Sequence, residues 1–177
     1  LRIPLIQAYN AVHDFHVIAI SESKLTDQHS NEDINIPGYI PIRSDLLENL
    51  GHTHGGVLLY HKVDMAAIRK IDLDLPSYTL VLDMSIYRKK VFFVHSYRRF
   101  GMNNIETECD EYFDKFDKMM ATLKQDNPYC TIVTGDFNAH HRTWQNDHPD
   151  LKSPTDKYGL QMQNIFAEYN LEQIVKQ

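Results

Sequence analysis

Strands and helices interleave along this chain around a strand-rich middle, which predicts an α/β protein with a mixed sheet or two packed sheets. Three observations carry that prediction. Short apolar, β-branched runs of strand length recur from residue 15 to residue 134. One long segment, residues 105–124, repeats its apolar residues at helical spacing instead. Three of the strand-like runs also stop abruptly at a polar side chain: Glu22, Tyr97 and Asp136.

Composition narrows the class. With 177 residues, 42% hydrophobic and 11% aromatic, the chain is long enough for a sizeable core and has a globular composition, consistent with one domain over 1–177. No apolar run reaches the roughly 18 residues of a membrane span, and no signal peptide is visible at Leu1. The missing initiator Met is read as a processed protein or a fragment. Cys109 and Cys130 make no disulfide framework and are expected to be buried free thiols. A net charge of −6 argues against a broadly basic nucleic-acid surface. A nucleic-acid partner therefore requires a local patch, such as Lys89, Lys90, Arg98 and Arg99. Ten histidines invite zinc, but His52, His54 and the His140–His141 pair match no standard ligand spacing.

Residues 4–14 read as a helix with Leu5, Ile6, Tyr9 and Val12 on one face and Pro4 in the first turn. Residues 15–20 form a nearly continuous apolar run, as for a strand covered on both faces. A polar loop follows to Pro37-Gly38. Residues 39–43 make a short strand that Pro41 confines to an edge or a bulge. Gly55-Gly56 leads the next strand, 57–60. Further strands are expected at 68–73, 79–87 and 90–97, the last two joined as a hairpin across the polar tip Arg88-Lys89-Lys90.

In the 105–124 helix, Cys109, Tyr112, Phe113, Phe116, Met119, Met120 and Leu123 form a core stripe. Glu106, Glu108 and Glu111 near its start and Lys124 near its end complement the helix dipole. Residues 129–138 are a strand delivering Asp136 and Asn138 to one sheet end. Residues two apart on extended chain point the same way, and Phe137 between them turns to the core. After a polar loop containing Trp144, Asp156 caps a helix to about Tyr169, with Leu160, Ile165, Phe166 and Tyr169 inward and Asn170 at its end. Residues 173–175 read as the start of one more strand.

Strand ends gathered on one edge are where layered α/β proteins place their sites. A carboxylate and a carboxamide two residues apart suit the orientation of a water, a metal or a phosphate. The order of motifs is Ile18-Ala19-Ile20-Ser21-Glu22-Ser23-Lys24-Leu25, Gly55-Gly56-Val57-Leu58-Leu59-Tyr60, Ser96-Tyr97-Arg98 and Gly135-Asp136-Phe137-Asn138-Ala139-His140-His141. Trp144 and Gly159-Leu160 extend the series. It resembles the endonuclease/exonuclease/phosphatase superfamily, and within it the apurinic-type endonuclease domain of non-LTR (LINE-type) retrotransposons.

That resemblance implies a DNase I-like, four-layer αββα sandwich and a phosphodiesterase needing Mg²⁺ or Mn²⁺. It implies that Glu22 matches the metal-binding carboxylate, a hard oxygen ligand. It further implies that Asp136 orients or deprotonates the attacking water, and that Asn138 supports that site and contacts the phosphate. The hydroxyl of Tyr97 is implied to approach the scissile phosphate. DNA is the implied substrate, with Arg98, Arg99, His141, Arg142 and Trp144 beside it, and the nucleus the implied place of action. A reverse transcriptase domain is the implied neighbour in the parent polypeptide, with no membrane partner.

Two motifs of the resembled family lack counterparts. An Asn on its opening strand and its closing Ser-Asp-His signature match nothing here, since Asp147-His148 precedes Pro149 in a loop. The domain is therefore expected to be incomplete at both ends and to nick DNA barely or not at all alone. Two other readings stand beside the endonuclease: a repair nuclease or lipid or inositol phosphatase of the same fold, and a catalytically dead remnant acting as a binding module. For Trp144, packing on a sugar or base and anchoring its own loop are equally compatible with the sequence.

Overall fold

A computed structural model describes residues 2–47, 53–75, 78–99, 105–141, 144 and 155–174. It divides into two compact units, one formed by Leu1–Arg99 with Pro128–Asp136 and the other by Phe100–Asn127 with Phe137–Gln177.

The described residues of the first unit form helix α1 (Ile3–His13) and seven strands: β1 (Val17–Ser21), β2 (Tyr39–Ser44), β3 (Val57–Lys62), β4 (Ala67–Arg69), β5 (Thr79–Ile86), β6 (Lys89–Tyr97) and β7 (Cys130–Asp136). They form two sheets, ordered β1-β3-β2 and β4-β5-β6-β7. All pairs are antiparallel except β6 with β7, which run parallel with Tyr97 opposite Asp136. Parallel neighbours need a long crossover, and residues 98–129 supply it. Pro41 lies on β2, an edge strand, where its missing N–H leaves no gap in a central ladder.

The sheets pack face to face because alternate side chains of each are apolar. Val57 and Leu59 of β3 meet Leu80, Leu82 and Met84 of β5 and Phe93 and Tyr97 of β6, with Val17, Ala19, Ile42 and Ile132 around them. The other face of the first sheet presents Leu58 and Tyr60, covered by Leu25, Ile34 and Ile36 of the long loop and by Ile3 and Ile6 of α1.

The second unit contains α2 (Ile105–Gln125) and α3 (Lys157–Glu168). The predicted stripe on α2 is buried from Cys109 to Leu123. Phe113 stacks on Tyr158 of α3, and Phe116 meets Phe137 edge-on at 5.6 Å. Truncating a fully buried aromatic such as Phe116 costs about 3–5 kcal/mol. Asp156 caps α3 by accepting the Gly159 N–H at 2.5 Å, and Asn170 after its end is left-handed.

Several expectations need correcting. On α1 it is Ile3 and Ile6 that pack inward, while Leu5, Tyr9 and Val12 are exposed. The helical spacing holds, but the inward face is turned by one residue. β1 starts at Val17 and lies at a sheet edge, half-buried throughout rather than covered on both faces. The 68–73 strand shortens to β4 and a 3-10 turn at Ile71–Leu73, because Asp74 leaves the strand pattern to accept from Val81 N–H and pair with Arg69. The hairpin turn is Tyr87-Arg88, both left-handed, with Lys89 and Lys90 already on β6. Cys130 is exposed, whereas Cys109 is buried, and both thiols are free. On α3, Leu160 is exposed and Met162 occupies the core in its place. Gln173 and Ile174 form no strand, and Val175 lies outside the described residues.

Candidate active site

β1 delivers Glu22 through a tight turn. Glu22 and Lys24 both adopt left-handed backbone, at φ 52° and 54°. The turn is held by Ser23 N–H and Lys24 N–H donating to the carbonyls of Gly56 and Gly55, each at 3.0 Å. The double glycine is a packing requirement. A Cβ on Gly55 would lie 2.2 Å from the Tyr78 ring, and one on Gly56 2.7 Å from Ser23 Oγ.

β6 delivers Tyr97, only 2% exposed, with its ring 6.2 Å from that of Tyr78. Its hydroxyl donates to Glu22 Oε1 at 2.5 Å, a short, charge-assisted bond joining the ends of the two sheets. Burial pushes the Tyr97 pKa well above the ordinary phenol value, and the Glu22 hydrogen bond and the nearby Glu22 and Asp136 charges push the same way. The Arg99 cation opposes this in part. The phenol therefore remains a proton donor across the neutral range.

β7 delivers Asp136, exposed and opposite Tyr97 in the parallel register. Its carbonyl accepts the Arg98 N–H at 2.9 Å. Gly135 before it is at φ 143°, and a Cβ there would lie 1.8 Å from the Ser96 carbonyl oxygen. Only glycine lets β7 pass β6 this closely.

Three predicted residues thus converge at one end of the first unit: Glu22, Tyr97 and Asp136. Arg98 is buried and Arg99 half-buried beside them in sequence. Asn138, His141 and Trp144 belong to the second unit. The strand ends at Asp136 and Asn138 is left-handed at φ 45°, so the extended-chain rule does not align the two side chains. Trp144 anchors its own loop: its indole N–H donates to Gln163 Oε1 at 3.0 Å, and its ring packs on Phe166 and His141. Arg142 and the Asp147-His148 pair lie outside the described residues.

A divalent cation fits this chemistry. Glu22 is an exposed carboxylate whose Oε1 accepts the Tyr97 hydrogen bond, leaving Oε2 without a hydrogen bond among the described residues. Mg²⁺ is typically held by one or two carboxylates with water completing its shell. No set of three His, Cys, Asp or Glu side chains able to enclose a metal occurs among the described residues. That excludes an all-protein cage of them but not a water-rich site.

Sequence reasoning misses His95 and Tyr78. The signal for His95 is a lone imidazole two residues before Tyr97 in an otherwise apolar run. Tyr78 lies in a loop and has no comparable signal.

Two packed sheets ending in a carboxylate, a buried tyrosine and a second carboxylate define an α/β protein of the DNase I-like class. Residues 91–177 match the family described as Endonuclease-reverse transcriptase. The endonuclease domain of TRAS1, a telomere-specific non-LTR retrotransposon, superposes with a TM-score of 0.66 at 14% identity, covering 96% of this chain and 66% of that one. An AP endonuclease from Archaeoglobus fulgidus superposes at 0.61 with 9% identity, covering 94% and 65%. An endonuclease/exonuclease/phosphatase family protein from Bacteroides thetaiotaomicron gives 0.54 at 15% identity, covering 91% and 58%. The chain thus spans about two thirds or less of the length of these neighbours. No curated protein matches it.

Proposed function

We propose that this chain is the hydrolytic core of a metal-dependent phosphodiesterase that nicks DNA, carried in a polypeptide that also holds a reverse transcriptase and acts in the nucleus. The observation that carries the hydrolytic reading is the Tyr97 hydroxyl bonded to Glu22 at 2.5 Å, with Asp136 across the parallel ladder from Tyr97. Support for DNA comes from the family description and from the retrotransposon and AP endonuclease neighbours.

In-line hydrolysis needs a water oriented at phosphorus, a proton acceptor, and positive charge or donors at the phosphate oxygens. Asp136, an exposed carboxylate, takes the proton as the water oxygen bonds to phosphorus and the ester P–O bond breaks, the leaving oxygen departing with the bonding pair and taking a proton from solvent. Tyr97, held protonated, turns its O–H to a phosphate oxygen. Before substrate arrives Glu22 holds that hydroxyl through Oε1, and its carboxylate would hold Mg²⁺ or Mn²⁺. When bound, the cation supplies Lewis-acid charge at the phosphate. Within the first unit, half-buried Arg99 flanks the nucleic acid in this reading, whereas Arg98 is buried.

Supercoiled plasmid with Mg²⁺ or Mn²⁺ tests it. The expected result is slow conversion to open circles that Asp136→Ala lowers by about 10²–10⁴-fold. Nicking unaffected by Asp136→Ala overturns the assignment. No nicking, together with no Mn²⁺ binding that depends on Glu22, favours a remnant without hydrolysis.

A further inference from the structure

His95 is 2% exposed and lies one rung below the site on β6. Its partner across the parallel ladder is Thr134, just as the partner of Tyr97 is Asp136. The imidazole Nδ1 is 3.0 Å from Thr134 Oγ1, and that hydroxyl also reaches the Val94 carbonyl at 3.3 Å. On the other side Nε2 is 3.5 Å from Ser21 Oγ, a long contact, and the Ile20 carbonyl also faces the ring. The ring therefore touches the residue immediately before Glu22 and the residue two before Asp136, from a position two before Tyr97.

We propose that His95 is a positioning residue: it ties β1 to β7 from within β6 and so sets the separation of Glu22 from Tyr97 and Asp136. The inference rests on the hydrolytic reading of those three side chains. Glu22 stands on one sheet and the other two on the second, so their spacing depends on how the sheets are pinned at this end. Sheet faces joined by aliphatic contacts alone tolerate small slides, since such contacts are non-directional. A hydrogen-bonded ring does not, because both ends must stay within bonding distance. The Tyr97–Glu22 bond is the upper tie and His95 the lower. The upper one uses groups that must also serve substrate and metal, so a tie independent of the reaction keeps the geometry while Tyr97 turns to the phosphate. Burial holds the His95 pKa below the usual histidine value, the hydrogen bonds to Ile20 and Thr134 opposing this, so the neutral ring is the one that fits.

The test uses the full chain with 3-fluorotyrosine at position 97, read by fluorine NMR, and Mn²⁺ affinity by calorimetry. Glu22→Ala marks the shift that Tyr97 shows when its partner is lost. His95→Leu, which keeps the volume and loses both ties, is expected to move or broaden the Tyr97 signal towards that position while β-sheet circular dichroism persists. It is also expected to weaken Glu22-dependent Mn²⁺ binding by about ten- to a hundredfold. His95→Gln, which retains an amide near the Nε2 position, is expected to recover most of both. Should His95→Leu not fold, Thr134→Val and Ser21→Ala cut one tie each and are expected to give smaller shifts of the same kind. An unchanged Tyr97 signal in the folded variants overturns the proposal. If the parent shows no Glu22-dependent Mn²⁺ binding, the metal-dependent reading fails, while the fluorine signal still decides the role of His95.

Discussion

Gly135 passes the Ser96 carbonyl so closely that a Cβ would sit 1.8 Å from its oxygen. The residue immediately before Asp136 is thereby fixed by the residue immediately before Tyr97. Gly135→Ala is expected to force β7 away from β6 and to destabilise the protein by about 3 kcal/mol or more, from the clash and from φ 143° combined. Urea unfolding measures it. A loss under about 1 kcal/mol means that the ladder bends instead.

Tyr97→Phe removes the donor to Glu22 and keeps the ring in the core. Nicking by the folded variant is expected to fall by about 10²–10³-fold, the cost of one preorganised donor. Because the Tyr97 pKa is raised, loss of its proton should not limit the parent rate below the ordinary phenol range. A pH–rate profile falling between about pH 8 and 9 in the parent but not in Tyr97→Phe contradicts that.

Tyr60 is fully buried, its hydroxyl donating to the Ile34 carbonyl at 2.7 Å, and burial raises its pKa to about 12, the Arg43 charge opposing this. The folded value lies above the unfolded one near 10, so the associated stability is present below pH 10 and lost as pH rises to about 12. A rise of that size corresponds to about 2–3 kcal/mol. Denaturant midpoints should therefore drop less steeply from about pH 10 to about pH 12 in Tyr60→Phe than in the parent. Parallel curves refute the assignment.

Arg43 uses its whole guanidinium: Nε and Nη2 on the Asp45 carboxylate, Nη1 on the His29 carbonyl, and Nη2 again on the Thr26 carbonyl. It staples the loop whose Leu25, Ile34 and Ile36 cover the first sheet. Lysine carries the charge without the fork. Arg43→Lys is expected to cost about 1–3 kcal/mol and to speed proteolysis within residues 26–36. Cleavage at the parental rate counts against the staple.

Much of this architecture was legible in local pattern. The α2 stripe was readable because seven large side chains recur at one period, and the β5–β6 hairpin because two apolar runs flank a polar tip. α1 misled because Leu5, Tyr9 and Val12 share the spacing of a buried face, and spacing does not say which face the sheet covers. Leu160 and Met162 misled for the same reason on α3. Within the candidate site, Glu22, Tyr97 and Asp136 stand out in the sequence because each ends an apolar run. The Tyr97–Glu22 bond spans two sheets, and no local pattern encodes it. Asn138 is not legible from the strand pattern, since the strand ends at Asp136 and Asn138 is left-handed.

The parallel pairing of β6 with β7 also bears on the order in which the molecule forms. β5 and β6 meet across a two-residue turn, whereas His95 finds Thr134 only after a loop of 39 residues closes. Contacts of long sequence separation are slow to form. Tyr97 is thus expected to be in place on its hairpin before Asp136 arrives. Assembly of the pair then belongs to a late folding step, and a chain still emerging from the ribosome would carry Tyr97 in its hairpin before Asp136 lies opposite it.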